Sequence, residues 1–420
     1  EEMPEDFTEN YAKYYRQGGM GYVPLNKAYD WAENTYYAAD VIGEIGDNAF
    51  RNCSVLTEIR LHPSLTYIGN YAFFGCNNLP SFTIGKEVEH LGEGVFALCG
   101  AMTIAVNAEN THFVIEDKVL YEYETVSGQI AYRAIVRYMS DKSDTDFLVP
   151  LTVNRIYDYA FDNVSSLGAL YVHDRVTKVG YQNVASSVKV YCEASAKPSG
   201  WAANFMGQNA NIVWSCNKDK AHFEYTLNGD TYTVSKYIGN GTEVAVPMFY
   251  NGKLVTAIGA ETFKDAVTLY VITVHEKIAV IAENAFENCA SLYSIEIDDK
   301  NPNYLDVSGV LFDIDMKTLI KYPSLKTDDI YLILGTVTRV AHNAFENCAS
   351  LSNLVVPSSV SEMKEANGAS LHIYFEANAL PANWNGSTAR VVFDCYKDSG
   401  DFSYRLVGET YAVSNYTGSA

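Results

Sequence analysis

Hydrophobic positions recur along this chain with a period of 23 residues. Cys53, Cys76 and Cys99 anchor three consecutive copies. An aliphatic residue stands eight positions before each anchor, Phe stands three before it, and Leu stands three after it in most copies. The same register returns at four further anchors: Val164, Ala266, Cys289 and Cys348. Self-similarity at a fixed short period predicts a repeat architecture.

One copy predicts two elements. The Leu-x-x-Ile-x-Ile stretch alternates at period two, which is typical of a strand with one buried face. The Ile-Gly-x-x-Ala-Phe-x-x-Cys stretch spaces its apolar residues by three and four, which predicts one or two turns of helix. A unit of this size cannot bury its own apolar face, so it must stack on its neighbours. We therefore predict an α/β-type repeat solenoid, mainly β with short helices.

Two longer intervals interrupt the repeat and contain similar inserts. The anchors Cys99 and Val164 are 65 residues apart, and Cys289 and Cys348 are 59 apart. Each insert, about 107–150 and about 299–334, has alternating runs around polar turns. This arrangement predicts a β-hairpin that projects from the solenoid wall.

A higher-order duplication indicates two modules. Residues 223–232 recur as residues 402–411, and a Glu-Ala-x-x-x-Pro-x-x-Trp element ends at both Trp201 and Trp384. We predict an N-terminal segment at 1–40, a first module at 41–215, a second at 216–395 and the start of a third at 396–420. The chain is expected to be cut from a longer protein. Residues 9–17 have the composition of a short helix that caps the first turn.

The repeat resembles the BspA-like leucine-rich repeat family of bacterial surface proteins. The motifs that carry the resemblance are Ile-Gly-Asp-Asn-Ala-Phe-Arg-Asn-Cys-Ser-Val-Leu at 45–56 and Ile-Ala-Glu-Asn-Ala-Phe-Glu-Asn-Cys-Ala-Ser-Leu at 281–292. The match covers roughly residues 41–420. The resemblance implies an extracellular solenoid of a kind credited with adhesion, without a catalytic motif.

The charge balance excludes several classes of partner. Lys and Arg total 30 against 51 Asp and Glu, which gives a net charge of −21. Nucleic acids and anionic membranes need basic residues to replace counterions, so neither is expected as a partner. No apolar run reaches the ~20 residues that span a bilayer. The first residues lack the features of a signal peptide and suggest a mature or trimmed N-terminus, compatible with secretion.

Five of the eight cysteines occupy the anchor position, which Val164 and Ala266 fill in other copies. Exchange with Val and Ala predicts buried structural thiols rather than a disulfide framework. Cys192 with Cys216 is the one plausible bridge, and the sequence leaves it open.

Other candidate chemistry has a simpler interpretation. His62, His173 and His275 stand nine positions after their anchors, where Gly85 and Pro357 also occur, so solvated turn positions are expected. Acidic pairs at 298–299 and 313–315 fit turns better than calcium ligands, because the EF-hand spacing is missing. The sequence predicts no cofactor, no metal site and no enzyme.

Aromatic residues make up 13% of the chain and include 32 Tyr. Tyr67 and Tyr71 are predicted on exposed positions, where rings give a large, rigid contact area. Trp201 and Trp384 either join such a surface or seal the module ends. We predict a non-catalytic cell-surface protein that binds extracellular proteins or glycans of host or neighbouring cells. The alternative is a stalk that presents another domain.

Overall fold

The computed structural model describes residues 43–181, 184–205, 211–364, 366, 371–386 and 391–393. Within these ranges, Arg60 is described by its backbone only. Outside them, the structure describes the backbone of six short strands. The chain divides into two compact units, Glu1–Cys216 and Asn217–Ala420. Each unit is a stack of β coils. The described residues contain a single helical element, the three-residue 3₁₀ turn Lys220–His222. The architecture is therefore a mostly-β solenoid.

The strands of the first unit are, in chain order, β1 (Ala12–Lys13), β2 (Pro24–Leu25), β3 (Thr35–Tyr37), β4 (Glu44–Ile45), β5 (Glu58–Arg60), β6 (Tyr67–Ile68), β7 (Ser81–Ile84), β8 (His90–Leu91), β9 (Thr103–Val106), β10 (Phe113–Glu116), β11 (Val119–Val126), β12 (Gln129–Tyr138), β13 (Asp146–Leu148), β14 (Arg155–Ile156), β15 (Ala169–Val172), β16 (Lys178–Val179), β17 (Lys189–Cys192) and β18 (Asn211–Val213). Because β1 pairs with β2, the helix predicted at 9–17 is wrong at Ala12–Lys13. The rest of that segment lies outside the described residues.

The strands of the second unit are β19 (Phe223–Asn228), β20 (Thr231–Tyr237), β21 (Glu243–Ala245), β22 (Phe249–Tyr250), β23 (Lys253–Ile258), β24 (Val271–Val274), β25 (Val280–Ile281), β26 (Ser294–Ile297), β27 (Tyr304–Val307), β28 (Val310–Asp313), β29 (Thr318–Lys321), β30 (Ile330–Leu332), β31 (Arg339–Val340), β32 (Asn353–Val356), β33 (Glu362–Met363), β34 (His372–Phe375), β35 (Val391–Val392), β36 (Tyr396–Ser399), β37 (Phe402–Val407) and β38 (Thr410–Tyr416).

Each complete coil contributes a strand to two walls. In one wall the short strands β4, β6 and β8 pair in parallel. In the other, β7 pairs in parallel with β9, and Ser81 lies opposite Thr103. Along β7 the side chains of Phe82 and Ile84 are buried, whereas Ser81 and Thr83 are exposed. The predicted strand with one buried face is confirmed.

The segment predicted to be helical is a corner of tight turns. Asn48 and Asn52 have φ near 60°, a left-handed conformation that ends a helix. The N–H groups of Phe50 and Asn52 donate to the carbonyls of Ala72 and Phe74 in the next coil, at 2.7 and 2.6 Å. An α-helix would send those groups to its own carbonyls and leave the coils unbonded. The helix prediction failed because apolar residues spaced by three and four fit both conformations.

The same left-handed positions recur in other corners of both units: Tyr71, Gly75, Gly94, Leu98, Tyr159, Asn163, Glu261, Asp265, Asn288, Asn343 and Asn347. They lie five residues and one residue before their anchors. The corner is therefore a repeated backbone geometry rather than a local irregularity.

Anchor cysteines bond to the coil before them. Cys76 Sγ donates to the carbonyl of Phe50 at 3.0 Å, and Cys289 Sγ donates to that of Phe263 at 3.0 Å. Burial raises the pKa of the Cys289 thiol to about 12, so the thiol stays protonated and can donate. None of the seven cysteines in the described part of the chain forms a disulfide. This agrees with the prediction that the anchor cysteines have a structural role.

The possible bridge between Cys192 and Cys216 is not formed. No disulfide joins these two residues, and the backbone N–H of Cys216 donates to the carbonyl of Cys192 at 3.1 Å. The eighth cysteine, Cys395, lies outside the described residues.

Phe side chains at the third position before the anchor form the centre of the core. Phe50 stacks on Phe73 with ring centroids 5.1 Å apart and planes 5° apart, and Phe263 stacks on Phe286 at 5.6 Å and 5°. Parallel coils place equivalent residues above one another, so one residue type repeats as a column. Burial of such rings supplies the main stabilisation of each unit.

Each insert contains an antiparallel hairpin whose last strand joins the wall. In the first unit β10, β11 and β12 are antiparallel, and β12 then pairs in parallel with β14. In the second unit β27, β28 and β29 precede β31 in the same way. The run around Phe147 lies within the first predicted insert, but it pairs with β15 in the opposite wall instead of with the hairpin strands. Its partner strand is parallel, so it belongs to a coil.

A buried cation lies where each insert rejoins the solenoid. Arg137 Nη1 donates to the carbonyl of Phe96 at 2.9 Å, and its Nη2 lies 4.0 Å from the carboxylate of Asp162. Lys321 Nζ lies 3.8 Å from the carboxylate of Glu346 and donates to a corner carbonyl at 3.0 Å. Burial lowers the pKa of both cations. Removing one partner of such a buried pair costs about 3–5 kcal/mol because the other charge is left uncompensated.

The same carboxylates replace backbone bonds that the insert interrupts. The backbone N–H of Leu98 donates to Asp162 at 2.9 Å, and that of Asn288 donates to Glu346 at 2.9 Å. In complete corners the equivalent N–H donates to a carbonyl of the next coil. In each unit a carboxylate side chain thus links the coil before the insert to the coil after it.

A buried asparagine fixes the start of each hairpin. Asn110 Nδ2 donates to the carbonyls of Gly85 and Val88, both at 2.8 Å, and its Oδ1 accepts the N–H of Phe113 at 2.7 Å. Asn301 makes the equivalent bonds in the second unit at 2.9–3.0 Å. Both side chains are buried, so their bonds cannot be replaced by water.

We expect Asn110→Ala to lower the free energy of unfolding by about 3 kcal/mol, because several buried backbone groups lose their partners. Urea denaturation measures the change. Asn77→Ala is the matched control: Asn77 is an exposed turn residue, and its loss should change stability by less than about 0.5 kcal/mol. Equal effects of the two substitutions would contradict the role of Asn110.

Candidate functional site

Tyr67 lies in the wall of short strands and stacks on a histidine of the next coil. Its ring centroid is 4.4 Å from that of His90, and the planes differ by 8°. Burial lowers the pKa of His90, so the imidazole is neutral at physiological pH and the contact is a stack of neutral rings. Tyr67 is half-buried, and this stack covers one face of its ring.

Tyr71 reaches over the next coil to the coil that follows the insert. Its hydroxyl donates to the carboxylate of Asp158. Burial and this hydrogen bond raise the pKa of Tyr71 well above its usual range. Gly94 lies beneath the ring, and a Cβ there would be 2.5 Å from Tyr71 Cε1. Glycine is therefore required for Tyr71 to span the intervening coil.

Around Tyr71 the side chains form a packed cluster. The guanidinium of Arg51 lies 4.4 Å from the ring centroid of Phe74 and 5.4 Å from that of Tyr71. Phe74 in turn packs edge-on against Tyr159 at 5.7 Å. These contacts stabilise neighbouring coils through cation–π and aromatic interactions. The cluster leaves Tyr71 only partly accessible to a ligand.

An ion pair beside this cluster recurs in the second unit. Arg155 pairs with Glu93, and Arg339 pairs with Glu283, at equivalent positions relative to their anchors. The second carboxylate oxygen of Glu93 accepts the backbone N–H of Asp158 at 2.8 Å. In each unit the ion pair joins the coil before the insert to the coil after it, so the paired charges have a structural role.

Trp201 and Trp384 lie in the segments that follow the last coils. Trp201 is 3% exposed, and its Nε1 donates to the carbonyl of Val176 at 2.9 Å. It packs against Phe205 at 4.7 Å, so no ring face is left for a ligand. Trp384 is half-buried and packs edge-on against Phe375 at 5.7 Å. Both rings pack against residues of their own unit, and the interpretation that they seal the module ends stays a prediction.

The histidines expected to be solvated turn residues are largely buried. His275 donates from Nε2 to the carbonyl of Pro247 at 3.0 Å, and its Nδ1 accepts the backbone N–H of Lys277 at 3.2 Å. His173 makes the same two contacts, whereas His62 is half-buried and bonds within its own turn. The turn position was predicted correctly, but solvation was wrong because each buried ring joins two coils.

The acidic pairs have turn functions. Asp313 Oδ1 accepts the backbone N–H groups of Lys317 and Thr318 at 2.8 and 2.9 Å, and Asp298 Oδ1 accepts that of Lys300 at 3.0 Å. Across the described ranges, no three His, Cys, Asp or Glu side chains are grouped closely enough to hold a metal ion. None of the helical segments described has the length and apolarity to cross a bilayer.

An exposed aromatic pair that the sequence analysis does not identify lies in the second unit. Tyr270 and Tyr293 belong to successive coils, with ring centroids 4.9 Å apart and planes 1° apart, and they are 39% and 37% exposed. Lys326 Nζ lies 5.4 Å from the ring of Tyr293, beside the exposed Leu325. We call these four residues the tyrosine ledge. The available signal was two Tyr spaced 23 residues apart, each four positions after an anchor.

We expect Gly94→Ala to destabilise the chain through contact with Tyr71. Gly128→Ala is the matched control, because Gly128 also has positive φ but a Cβ there has no neighbour within 4 Å. Both changes cost about 1–2 kcal/mol for the left-handed backbone, and Gly94→Ala should cost more. Thermal denaturation measures the difference. Adding Tyr71→Ala should reduce the excess, and an unchanged excess would refute the clash.

We expect His275 to make stability fall in mild acid. Burial lowers its pKa to about 4, whereas the unfolded value is about 6.5. Below pH 6.5 only the unfolded chain binds the proton, so stability is fully present above that pH and is lost toward pH 4. The stability difference between wild type and His275→Gln should shrink by about 2 kcal/mol from pH 7.5 to 5.0.

Urea denaturation at the two pH values measures this change. Thr273→Ala, an exposed substitution on β24 that removes no titratable group, should follow the wild-type pH dependence. A constant difference between wild type and His275→Gln would show that His275 is not buried in its neutral form.

Comparisons with known proteins support a repeat family. The model of the BspA type leucine rich repeat region matches six copies, at residues 35–132, 248–312 and 314–367, which is just over half of the chain. No curated protein matches the chain.

Several solved structures are similar to the chain. A leucine rich cell surface protein from Faecalibacterium prausnitzii is 22% identical with a TM-score of 0.34, and the match covers 63% of this chain and 59% of that one. A leucine-rich repeat protein from Bacteroides ovatus is 15% identical over 86% and 83%, with a TM-score of 0.26. The pneumococcal vaccine antigen PcpA is 16% identical over 65% and 71%, with a TM-score of 0.27. On the evidence of the repeat match, the chain belongs to the BspA-type leucine-rich repeat family.

Proposed function

We propose that this chain is a non-catalytic binding protein of a bacterial cell surface, which contacts proteins or glycans of host or neighbouring cells. Family membership supports the surface location. The observation that carries the binding role is the tyrosine ledge of the second unit. Rings of this size are more often buried in a fold or placed at an interface than left partly in solvent.

The ledge has the properties of a contact surface. Tyr270 and Tyr293 support each other face to face, so their side chains are rigid before a partner arrives. Little conformational entropy is lost when such rings bind, which is why Tyr is frequent among residues that dominate interface energies. The hydroxyl groups add hydrogen-bonding capacity at the exposed edge.

The charge of the ledge differs from that of the chain. Lys326 places an ammonium group beside Tyr293 on a protein with a net charge of −21. The ledge therefore suits a surface with apolar groups or sugar rings together with hydroxyl or anionic groups. Leu325 extends the apolar area, since it is 44% exposed.

We expect the double variant Tyr270→Ala, Tyr293→Ala to weaken binding about tenfold or more, because it removes the rigid aromatic contact. Biosensor measurements against a panel of extracellular matrix proteins and a glycan array provide the test. Tyr181→Ala is the control, since Tyr181 is 47% exposed in the other unit. Uniform failure to bind at micromolar concentration would contradict the adhesive role, and equal affinity of double variant and wild type would contradict the ledge.

A second candidate function is a passive stalk that presents another domain. It is favoured by one wall, where the outward residues of neighbouring strands are small or polar, as at Ser81, Thr83 and Thr103. Such a face offers few anchors for a partner. A stalk would tolerate the loss of the ledge but would lose function when coils are removed, so truncation of one repeat separates the two candidates.

A further inference from the structure

The hairpin of the first unit is longer than its counterpart. Strands β11 and β12 contain eight and ten residues, whereas β28 and β29 contain four each. Glu122 and Arg133 correspond to Asp313 and Lys317 in the duplication, so ten residues of the first hairpin stand where the second has three. The additional residues extend the hairpin beyond the wall that β12 joins.

A cleft of about 600 Å³ lies between this extension and the solenoid. The hairpin side includes Val126 and Ile130, which are 49% and 53% exposed. Leu151 lies on the solenoid side, together with Arg175. The volume is in the range of sites that bind ligands in proteins. The exposed aliphatic side chains give the cleft an apolar lining at its outer end.

The strand that borders the cleft has an unpaired edge. Residues 129–132 of β12 pair with β11 on one side. On the other side β12 pairs with β14 only from Ala134, and the N–H of Asn154 donates to the carbonyl of Arg133. Within the described residues no strand continues this pairing along Gln129–Tyr132. That edge is about 13 Å long, enough for a short extended segment to pair.

The charges in the cleft favour an acidic ligand. Glu124 and Arg133 neutralise each other at 2.9 Å. Arg175 is exposed, and its guanidinium makes no ion pair with any residue that the structure describes. The cleft therefore has one uncompensated positive charge, although the whole chain carries −21. Arginine binds carboxylates through two parallel hydrogen bonds, which gives direction as well as affinity.

We propose that the cleft beneath the first hairpin binds an extended peptide segment of a partner protein, which adds as a strand to residues 129–132 of β12 and places an acidic side chain against Arg175. Backbone pairing supplies part of the affinity, and contact with Val126 and Ile130 supplies the rest. The contact between the peptide's carboxylate and Arg175 determines which peptide sequences bind. This inference rests on the proposed binding function and names the class of partner for one site.

The test uses two fluorescein-labelled peptides of alternating Thr and Val, one with a central Glu and one with a central Lys, and measures fluorescence anisotropy with the whole chain. We expect the Glu peptide to bind at micromolar concentration and the Lys peptide to bind at least about tenfold more weakly. Arg175→Gln should remove this preference, and Arg175→Glu should reverse it. Equal binding of the two peptides to the wild type would overturn the role of Arg175.

A hairpin variant tests the strand addition separately. Replacing residues 123–132 with Ile-Asp-Met, the connection that the second unit has at 314–316, removes the extension and uses a turn that the second unit already contains. We expect the shortened chain to keep its fold and a single cooperative unfolding transition, at a lower temperature because the Tyr121–Tyr132 stack and the Tyr123–Asn110 hydrogen bond are lost, and to lose peptide binding. Retained binding, or absence of Glu-peptide binding to the wild type at millimolar concentration, would overturn the proposal. If neither peptide binds while the tyrosine ledge still binds its targets, the peptide site in the cleft is rejected and the proposed binding function is not.

Discussion

Backbone hydrogen bonds between successive coils set the spacing to which every other interaction in this chain conforms. In the corners the N–H groups alternate: those of Ala49 and Arg51 donate within their own turn, and those of Phe50 and Asn52 donate to the next coil. Equivalent residues are thereby placed directly above one another. A side chain that fits once must fit again in the next coil, and the Phe and Cys columns follow from that constraint. The repeat in the sequence is the consequence of a repeat in the backbone.

The inserts show how the stack accommodates an interruption. Each insert contributes a strand to the wall but no complete corner, so the coils on either side meet through side chains. Asp162 and Glu346 accept the N–H groups that would otherwise bond to a carbonyl, and a buried cation accompanies each carboxylate. The same solution appears in both units with Arg in one and Lys in the other. The position requires a positive charge on a side chain long enough to approach the carboxylate, and both Arg and Lys meet that requirement.

The local periodicity of the sequence was sufficient to predict the strands of the walls. The alternation in β7 identified buried positions correctly, and so did the exchange of Cys with Val and Ala at five of the seven anchors, whereas Cys53 and Ala266 are half-buried. Periodicity could not distinguish a helix from a corner, because the difference lies in where the N–H groups bond. The burial of His275 and the span of Tyr71 over Gly94 depend on neighbouring coils, and those contacts join residues 28 and 87 positions apart. The tyrosine ledge was visible in the spacing of Tyr270 and Tyr293, but its exposure was not.

The cysteine column has a kinetic consequence. Thiols react with disulfides and alkylating agents as thiolates, and the Cys76 and Cys289 thiols are buried, protonated and bonded to carbonyls. Such a group reacts only when its coil opens, so its modification rate follows local opening rather than intrinsic reactivity. Because cysteine anchors occur in both units, their modification rates report the opening of several separate coils. Mass spectrometry of alkylated peptides can time the opening of each coil that has a cysteine anchor.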